Sequence, residues 1–456
     1  MATAIKPGVS ISSPQSRRGF ISYAADVYAW LIGLTSSFAA HFIGDLPIGE
    51  MLLLASLPVL VMVGARRALR PEFKRIYILM AFWLLGLVTA DIYHDTNLVD
   101  RMRGTALIVF FGLDIYGLSI LIGRNERRKL LLLIGSTIGA LAQVKLQPSL
   151  AAADYPWKFG YAWGTMSAVI LISCFFYSRR RYVAAASCIL GICVVNLLLN
   201  FRSPVLYLMI TLVLVFPIVP ERIGTMQILP SGKVFRVAVL VLLAIAAGEA
   251  ANKAIEFVTQ AGYISEEAQA KNETQEKSGN LLLGGRPEFV VGLRAALDSP
   301  IIGHGSWAHD YKYFEMLNDM LIESGTQAAT SRDPDAEADG LIPGHSHIVT
   351  AWVWAGMTGL IFWLYVVWIL CKAVTSVSIL RPPLAPIYTF ILIASFWSIW
   401  FSPFAFTSRM AEGIMMVIIA DLLERKVSLA RPVWRRMGAV NPRRLFDGST
   451  SPAQSR

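Results

Sequence analysis

The sequence predicts an all-α integral membrane protein with about twelve transmembrane helices and one large, partly helical loop on the outer side. Three observations carry this prediction. Hydrophobic residues make up 55% of the 456 and charged residues only 16%, with mean hydropathy +0.54. A soluble domain carries about 25% charged residues. Apolar runs of about 20 residues, enough to cross a bilayer, recur along the chain. Lys and Arg collect in alternate connections, which is the positive-inside asymmetry.

The elements follow in order. Residues 1–21 are polar and rich in Ser, Pro and Arg, with no apolar stretch ending in a cleavage signature, so they read as a cytoplasmic tail. A bundle over 22–254 holds nine spans, near 22–43, 46–65, 75–93, 104–123, 129–146, 160–178, 182–200, 204–220 and 235–254. A polar loop over 255–346 follows. A second bundle segment, 347–424, holds three spans near 347–371, 384–402 and 410–424. Residues 425–456 form a basic cytoplasmic tail. With the N-terminus inside, every inner connection is basic: Arg66, Arg67, Arg70, Lys74 and Arg75, then Arg124, Arg127, Arg128 and Lys129, then Arg179 to Arg181, then Lys372 and Arg381. Both termini are then cytoplasmic and the long loop lies outside.

Several function classes are disfavoured. The net charge of +10 and pI near 9.5 belong to membrane flanks rather than to a nucleic-acid surface. The inner connections are too short for a nucleotide-binding domain and carry no P-loop pattern. Cys174, Cys188, Cys193 and Cys371 lie in apolar runs with no CxxC pair, so neither a disulfide framework nor a cysteine metal site is expected.

Polar chemistry concentrates in Gly285–Leu360. Within the loop, 286–297 shows helical spacing of Phe289, Val290, Leu293 and Leu297, closed by Ser299-Pro300. Gly303 and Gly305 mark a turn, and 308–324 reads as a second helix. Arg286 starts the first helix, where it serves either as a phosphate ligand or as a solvated helix-start charge. Arg202 sits at the outer end of an earlier span, either as a second phosphate ligand or snorkelling to headgroups. His345 precedes an apolar helix and titrates near neutrality, so it suits a base or a structural hydrogen bond. His347 lies two residues on. A metal held by His345, His347 and loop carboxylates such as Asp310 is a weak pattern before a fully apolar helix. Gly356 and Gly359 fit close helix packing. His94, Asp95, Asp100, Arg101 and Arg103 read as an ordinary solvated loop.

The order Gly285-Arg286, Ala296-Leu297, Pro300, Gly303-x-Gly305, His345, Gly356 and Gly359, with Arg202-Ser203 upstream, resembles the O-antigen ligase / O-antigen polymerase (Wzy) superfamily. The chain departs from that pattern at Ser346, where an Asn is usual, and at Trp354, where a Glu is frequent. The resemblance implies a GT-C-like membrane glycan transferase at the outer face of a bacterial inner membrane. It implies an undecaprenyl-diphosphate-linked glycan as donor, a glycan or lipid hydroxyl as acceptor, an inverting reaction, and no cofactor or metal. Arg202 and Arg286 are then the diphosphate ligands, Arg286 and His345 the catalytic groups, and His347, Gly303 and Gly305 secondary. An O-antigen or exopolysaccharide polymerase is favoured, with a ligase acting on lipid A-core as the alternative. A flippase or permease for the same lipid-linked sugars is the non-enzymatic alternative, and it would be favoured by charge pairs inside the membrane.

Overall fold

The computed structural model describes residues 14–41, 45–68, 70–199, 201–216, 286–323 and 340–438. The expected span at 235–254, most of the long loop and the end of the C-terminal tail lie outside the described residues. The described chain is an all-α membrane protein. Its helices are α1 Pro14–Thr35, α2 Ile48–Ala68, α3 Pro71–Tyr93, α4 Leu98–Leu121, α5 Glu126–Leu146, the short α6 Leu150–Asp154, α7 Ala162–Ser178, α8 Tyr182–Leu198 and α9 Arg202–Val215. After the gap come α10 Pro287–Asp298, α11 Tyr311–Glu323, α12 His347–Ala355, α13 Met357–Leu380, α14 Ala385–Phe401 and α15 Phe406–Gly438. A small antiparallel hairpin, β1 Ala39–His41 and β2 Asp45–Pro47, joins α1 to α2.

Among the described residues five helices are long and apolar enough to cross a membrane: Pro71–Tyr93, Leu98–Leu121, Glu126–Leu146, Pro156–Ser178 and Met357–Leu380. The fourth begins as a π-helical turn, Pro156–Tyr161, that runs into α7. Shorter apolar helices include Tyr182–Leu198 and Ala385–Phe401. Helix starts follow local chemistry. Pro71 occupies the first turn of α3, where its missing N–H costs nothing. Asn97 caps α4 by accepting from the Asp100 amide at 3.0 Å, and Asn125 caps α5 by accepting from the Arg128 amide at 3.1 Å. Several boundaries differ from the sequence reading: α1 runs Pro14–Thr35 rather than 22–43, α4 begins at Leu98 rather than 104, α9 ends at Val215 rather than 220, α13 ends at Leu380 rather than 371, and α15 continues to Gly438 rather than 424.

One end of the bundle collects charged residues from the predicted inner connections. Asp26 meets Arg127 and Arg128, Glu424 meets Arg70 and Arg124, Lys129 meets Asp421, and Arg425 meets both Asp421 and Glu126. The opposite end carries the hairpin, α10, α11 and the turns between them. Charges predicted to share a side therefore share an end. Between the two ends lies an aromatic core in which Trp83, Phe111, Phe362, Trp363 and Phe404 pack with ring centroids 4.9–6.3 Å apart. Phe362 and Trp363 are fully buried core residues.

The span expected at 347–371 is not one helix. Gly356 breaks it with φ +59°, and α12 and α13 run side by side in opposite directions. A Cβ on Gly359 would lie 2.2 Å from the Ala351 carbonyl, so the two backbones touch there. The His347 ring stands 5.0 Å from Trp363, almost two turns down α13. At 1.5 Å per residue, His347 is therefore about 10 Å below the break. The chain enters the bundle before α12, climbs through it, and turns back down as α13.

The turn Pro300–Gly305 stabilises this break. It supplies partners for helix-end groups that would otherwise be unpaired. The Met357 amide donates to the Ile301 carbonyl, and the His304 and Gly305 amides donate to the Val353 and Trp354 carbonyls. The fit requires glycine on both sides. Gly303 and Gly305 have φ +85° and +88°, and a Cβ on Gly303 would lie 2.6 Å from the Gly356 nitrogen. α3 and α4 hold the turn from below. Asp91 accepts from both the amide and the hydroxyl of Ser306, and His94 Nε2 bonds the Gly303 carbonyl. His94 and Asp100, expected as ordinary solvated residues, are thus anchors. Asp100 is buried and faces His309 at 3.4 Å.

Candidate functional site

Arg286 precedes α10, and the first turn of α10 lies on the C-terminal end of α14. The apolar face of α10, including Val291, Ala295 and Ala296, is buried. The Arg286 guanidinium donates to the Phe401 carbonyl at 3.1 Å. It also lies over the rings of Phe401 and Trp397, 4.3 and 4.9 Å from their centroids. These ring faces hold a cation in place without neutralising it. Burial lowers the Arg286 pKa, partly offset by Glu288 and Tyr207. It remains a cation at any physiological pH.

His345 lies on the segment that leads into α12, close enough to Arg286, Glu288 and Lys158 for each to act on it electrostatically. Its side chain is exposed, yet protein surrounds it closely enough to desolvate it. That desolvation lowers its pKa from the ordinary 6.5. Glu288 acts in the opposite direction, and Arg286 and Lys158 lower it further. His345 is therefore neutral at neutral pH and can accept a proton. Four charged or titratable groups thus act on one another in this space: Arg286 and Glu288 from α10, Lys158 from the turn before α7, and His345.

His347 faces elsewhere. It is fully buried, and its Nδ1 donates to the Ser402 carbonyl at 2.7 Å. Its Nε2 points at the Glu412 carboxylate 3.5 Å away, without a hydrogen-bond partner. Ser346 lies between the two histidines. It caps α12 by accepting from the Val349 amide and donates its hydroxyl to the Ile399 carbonyl at 2.9 Å. It fills the position at which the sequence pattern departs from Asn. The two histidines therefore face different surroundings: His345 the charged groups Arg286, Glu288 and Lys158, and His347 the aromatic core.

Arg202 opens α9, but its side chain lies outside the described residues, as does Gly285. On the same helix, Tyr207 interacts electrostatically with Arg286 and packs at a tilt against Trp397 with centroids 6.0 Å apart, so α9 lies beside Arg286. Gly303 and Gly305 lie at the broken helix, against Val353, Trp354 and Gly356 and against Thr96 and Asp91. Sequence reasoning did not single out Lys158, Glu288, Trp397 or Phe401. Lys158 left one signal, a lone cation among aromatics in Trp157-Lys158-Phe159. The aromatics at the end of α14 left none, because they look like any interfacial belt.

No protein-family model, curated protein or solved structure matches this chain.

Proposed function

We propose that this protein is a membrane glycan transferase. It moves an oligosaccharide or polysaccharide from an undecaprenyl-diphosphate carrier to an acceptor hydroxyl at the outer face of a bacterial inner membrane. Extension of an O-antigen or exopolysaccharide is the favoured reaction, and transfer to lipid A-core is its alternative. The observation that carries the reading is that Arg286, a fixed cation, lies close enough to His345, a desolvated and neutral imidazole, to act on it electrostatically where α10 meets the segment before α12.

The chemistry needs both groups. When the glycosidic bond breaks, the diphosphate departs with increased negative charge, and a positioned cation stabilises it. Arg286, with Lys158 nearby and Arg202 at the head of α9, supplies that charge. The acceptor hydroxyl must lose its proton as it attacks the anomeric carbon, and His345 accepts it. No nucleotide, cofactor or metal enters this scheme. The test is transfer in vesicles from a lipid-diphosphate-linked repeat unit. His345→Ala and Arg286→Ala should each reduce transfer by about two to three orders of magnitude while folded protein persists. Near-normal transfer by both variants overturns the reading. Inhibition by EDTA that a divalent ion reverses overturns the metal-free scheme.

A second reading draws on a different observation. Glu50, Asp114, Arg409, Glu412 and His347 are all buried within the bundle. Ionisable groups inside a membrane mark transport pathways as often as they mark chemistry. A flippase or permease for the same lipid-linked sugars uses such groups. Movement of the intact carrier across vesicles, with no new glycosidic bond, would select it.

A further inference from the structure

Away from this site, α2, α4 and α15 bring three charged side chains together inside the bundle. Arg409, in the first turn of α15, donates from Nε and Nη2 to the two oxygens of Glu50 at 2.8 and 2.6 Å. This is a complete fork-to-carboxylate pair. Glu50 is fully buried and Arg409 is 5% exposed. The Arg409 guanidinium also lies 5.5 Å from the Phe110 ring centroid on α4. One turn further along α4 is Asp114, 1% exposed, packed against Gly413 of α15. Neither Asp114 oxygen has a hydrogen-bond partner, and the neighbouring charged groups that act on it are Glu50 and Arg409.

The charges do not balance. Arg409 is already neutralised by Glu50 with ideal geometry, so an ionised Asp114 is a second carboxylate in the same dry space. Two adjacent carboxylates beside one guanidinium, out of water, cannot both remain ionised. α3 brings Tyr77 and Met80 to this level of α4, Tyr77 beside Tyr116 and Met80 against Gly112. α15 carries Glu412 one turn beyond Arg409, but that carboxylate faces His347.

We infer that Asp114, set against the Glu50–Arg409 pair, is a proton-binding site inside the membrane bundle and carries its proton at neutral pH. A proton on one Asp114 oxygen lets it stand beside the Glu50 carboxylate, which already accepts from Arg409, without a second negative charge. The site is independent of the glycan-transfer reading, since that reading uses none of its three residues. It gives the bundle an internal proton whose release requires either water or a new cation to reach Asp114.

The test is infrared spectroscopy of the full-length protein in lipid bilayers at neutral pH. The difference spectrum between the wild type and Asp114→Asn should show loss of a protonated carboxyl carbonyl band, with no loss of ionised carboxylate bands. Loss of an ionised band instead overturns the proposal. If Asp114→Asn does not accumulate, wild-type protein labelled with carbonyl-13C aspartate reads the same band directly, and absence of any shifted protonated-acid band overturns it. A melting temperature that rises in sodium chloride but not in choline chloride, with that rise lost in Asp114→Asn, would assign the site to a metal cation and also overturn it.

Discussion

The Arg286 guanidinium rests on the ring of Phe401 and donates to the same residue's carbonyl, 4.3 Å from the ring centroid and 3.1 Å from the oxygen. One residue of α14 thus orients the cation twice. The arrangement is specific to a planar guanidinium. Arg286→Lys should recover only a minor part of the transfer lost in Arg286→Ala, because a point charge reproduces neither the ring contact nor the fork. Initial rates on the lipid-linked donor check this, and full recovery by lysine would show that charge alone matters.

The two histidines should separate in their effects. His345→Ala should remove transfer and leave the amount and melting temperature of the protein unchanged, since its side chain is exposed. His347→Ala removes a buried ring between Trp363, Phe404 and Glu412, and should lower stability by about 3 kcal/mol or more, as large-to-small core changes do. Thermal melts alongside transfer assays check this. Transfer lost in His347→Ala at unchanged stability would reassign the reacting histidine.

Transfer should have an acidic limb below pH 6.5. Desolvation lowers the His345 pKa from 6.5, so protonation, and with it loss of the base, begins only at lower pH. The same sign applies to stability: His345 disfavours the folded state once pH falls below its unfolded pKa, and contributes nothing above it. A pH–rate profile checks the limb. A limb above pH 6.5 that vanishes in His345→Ala would contradict the desolvated placement.

Gly303→Ala should disrupt the joint between the turn and the broken helix. Its φ of +85° is strained for alanine, and the added methyl would lie 2.6 Å from the Gly356 nitrogen. Strain and overpacking each cost about 1–3 kcal/mol. Gly191→Ala is the control, because nothing lies within 4 Å of its Cβ position and the residue is within α8. It should be neutral or stabilising by up to about 1 kcal/mol. Equal effects at the two positions would show that the joint tolerates a side chain.

Asp298 should respond to strong acid. Hydrogen bonds from Lys312 and Tyr313, with Arg294 nearby, lower its pKa to about 2 from the usual 3.8 and tie α10 to α11. A depressed carboxylate pKa contributes stability above pH 3.8, and that contribution is lost as pH falls through about 2. Amide exchange across 287–323 in wild type and Asp298→Asn should converge at the acidic end of this window and differ above it.

The sequence alone determined the helical membrane class, most helix positions and which connections share an end. Those properties depend on local quantities: length of apolar runs, caps such as Asn97 and Asn125, and the alternation of Arg and Lys. It also marked Arg286, His345, Gly303 and Gly356 as special. Tertiary structure decided what they do. Gly356 reads as a packing glycine inside one span, and only its contact with Ile301 shows that the helix ends there and reverses. Asp91, Glu50 and Arg409 lie in three different helices, and no spacing along the chain predicts that Arg409 meets Glu50 or that Ser306 meets Asp91. His345 and His347 are two residues apart, yet one faces the charged groups Arg286, Glu288 and Lys158 and the other an aromatic core. That difference follows from the backbone course around Ser346, which caps α12 and binds Ile399 of α14. Sequence periodicity reports which face of an element is apolar. It does not report which other element that face will meet, because that is fixed by packing between segments hundreds of residues apart.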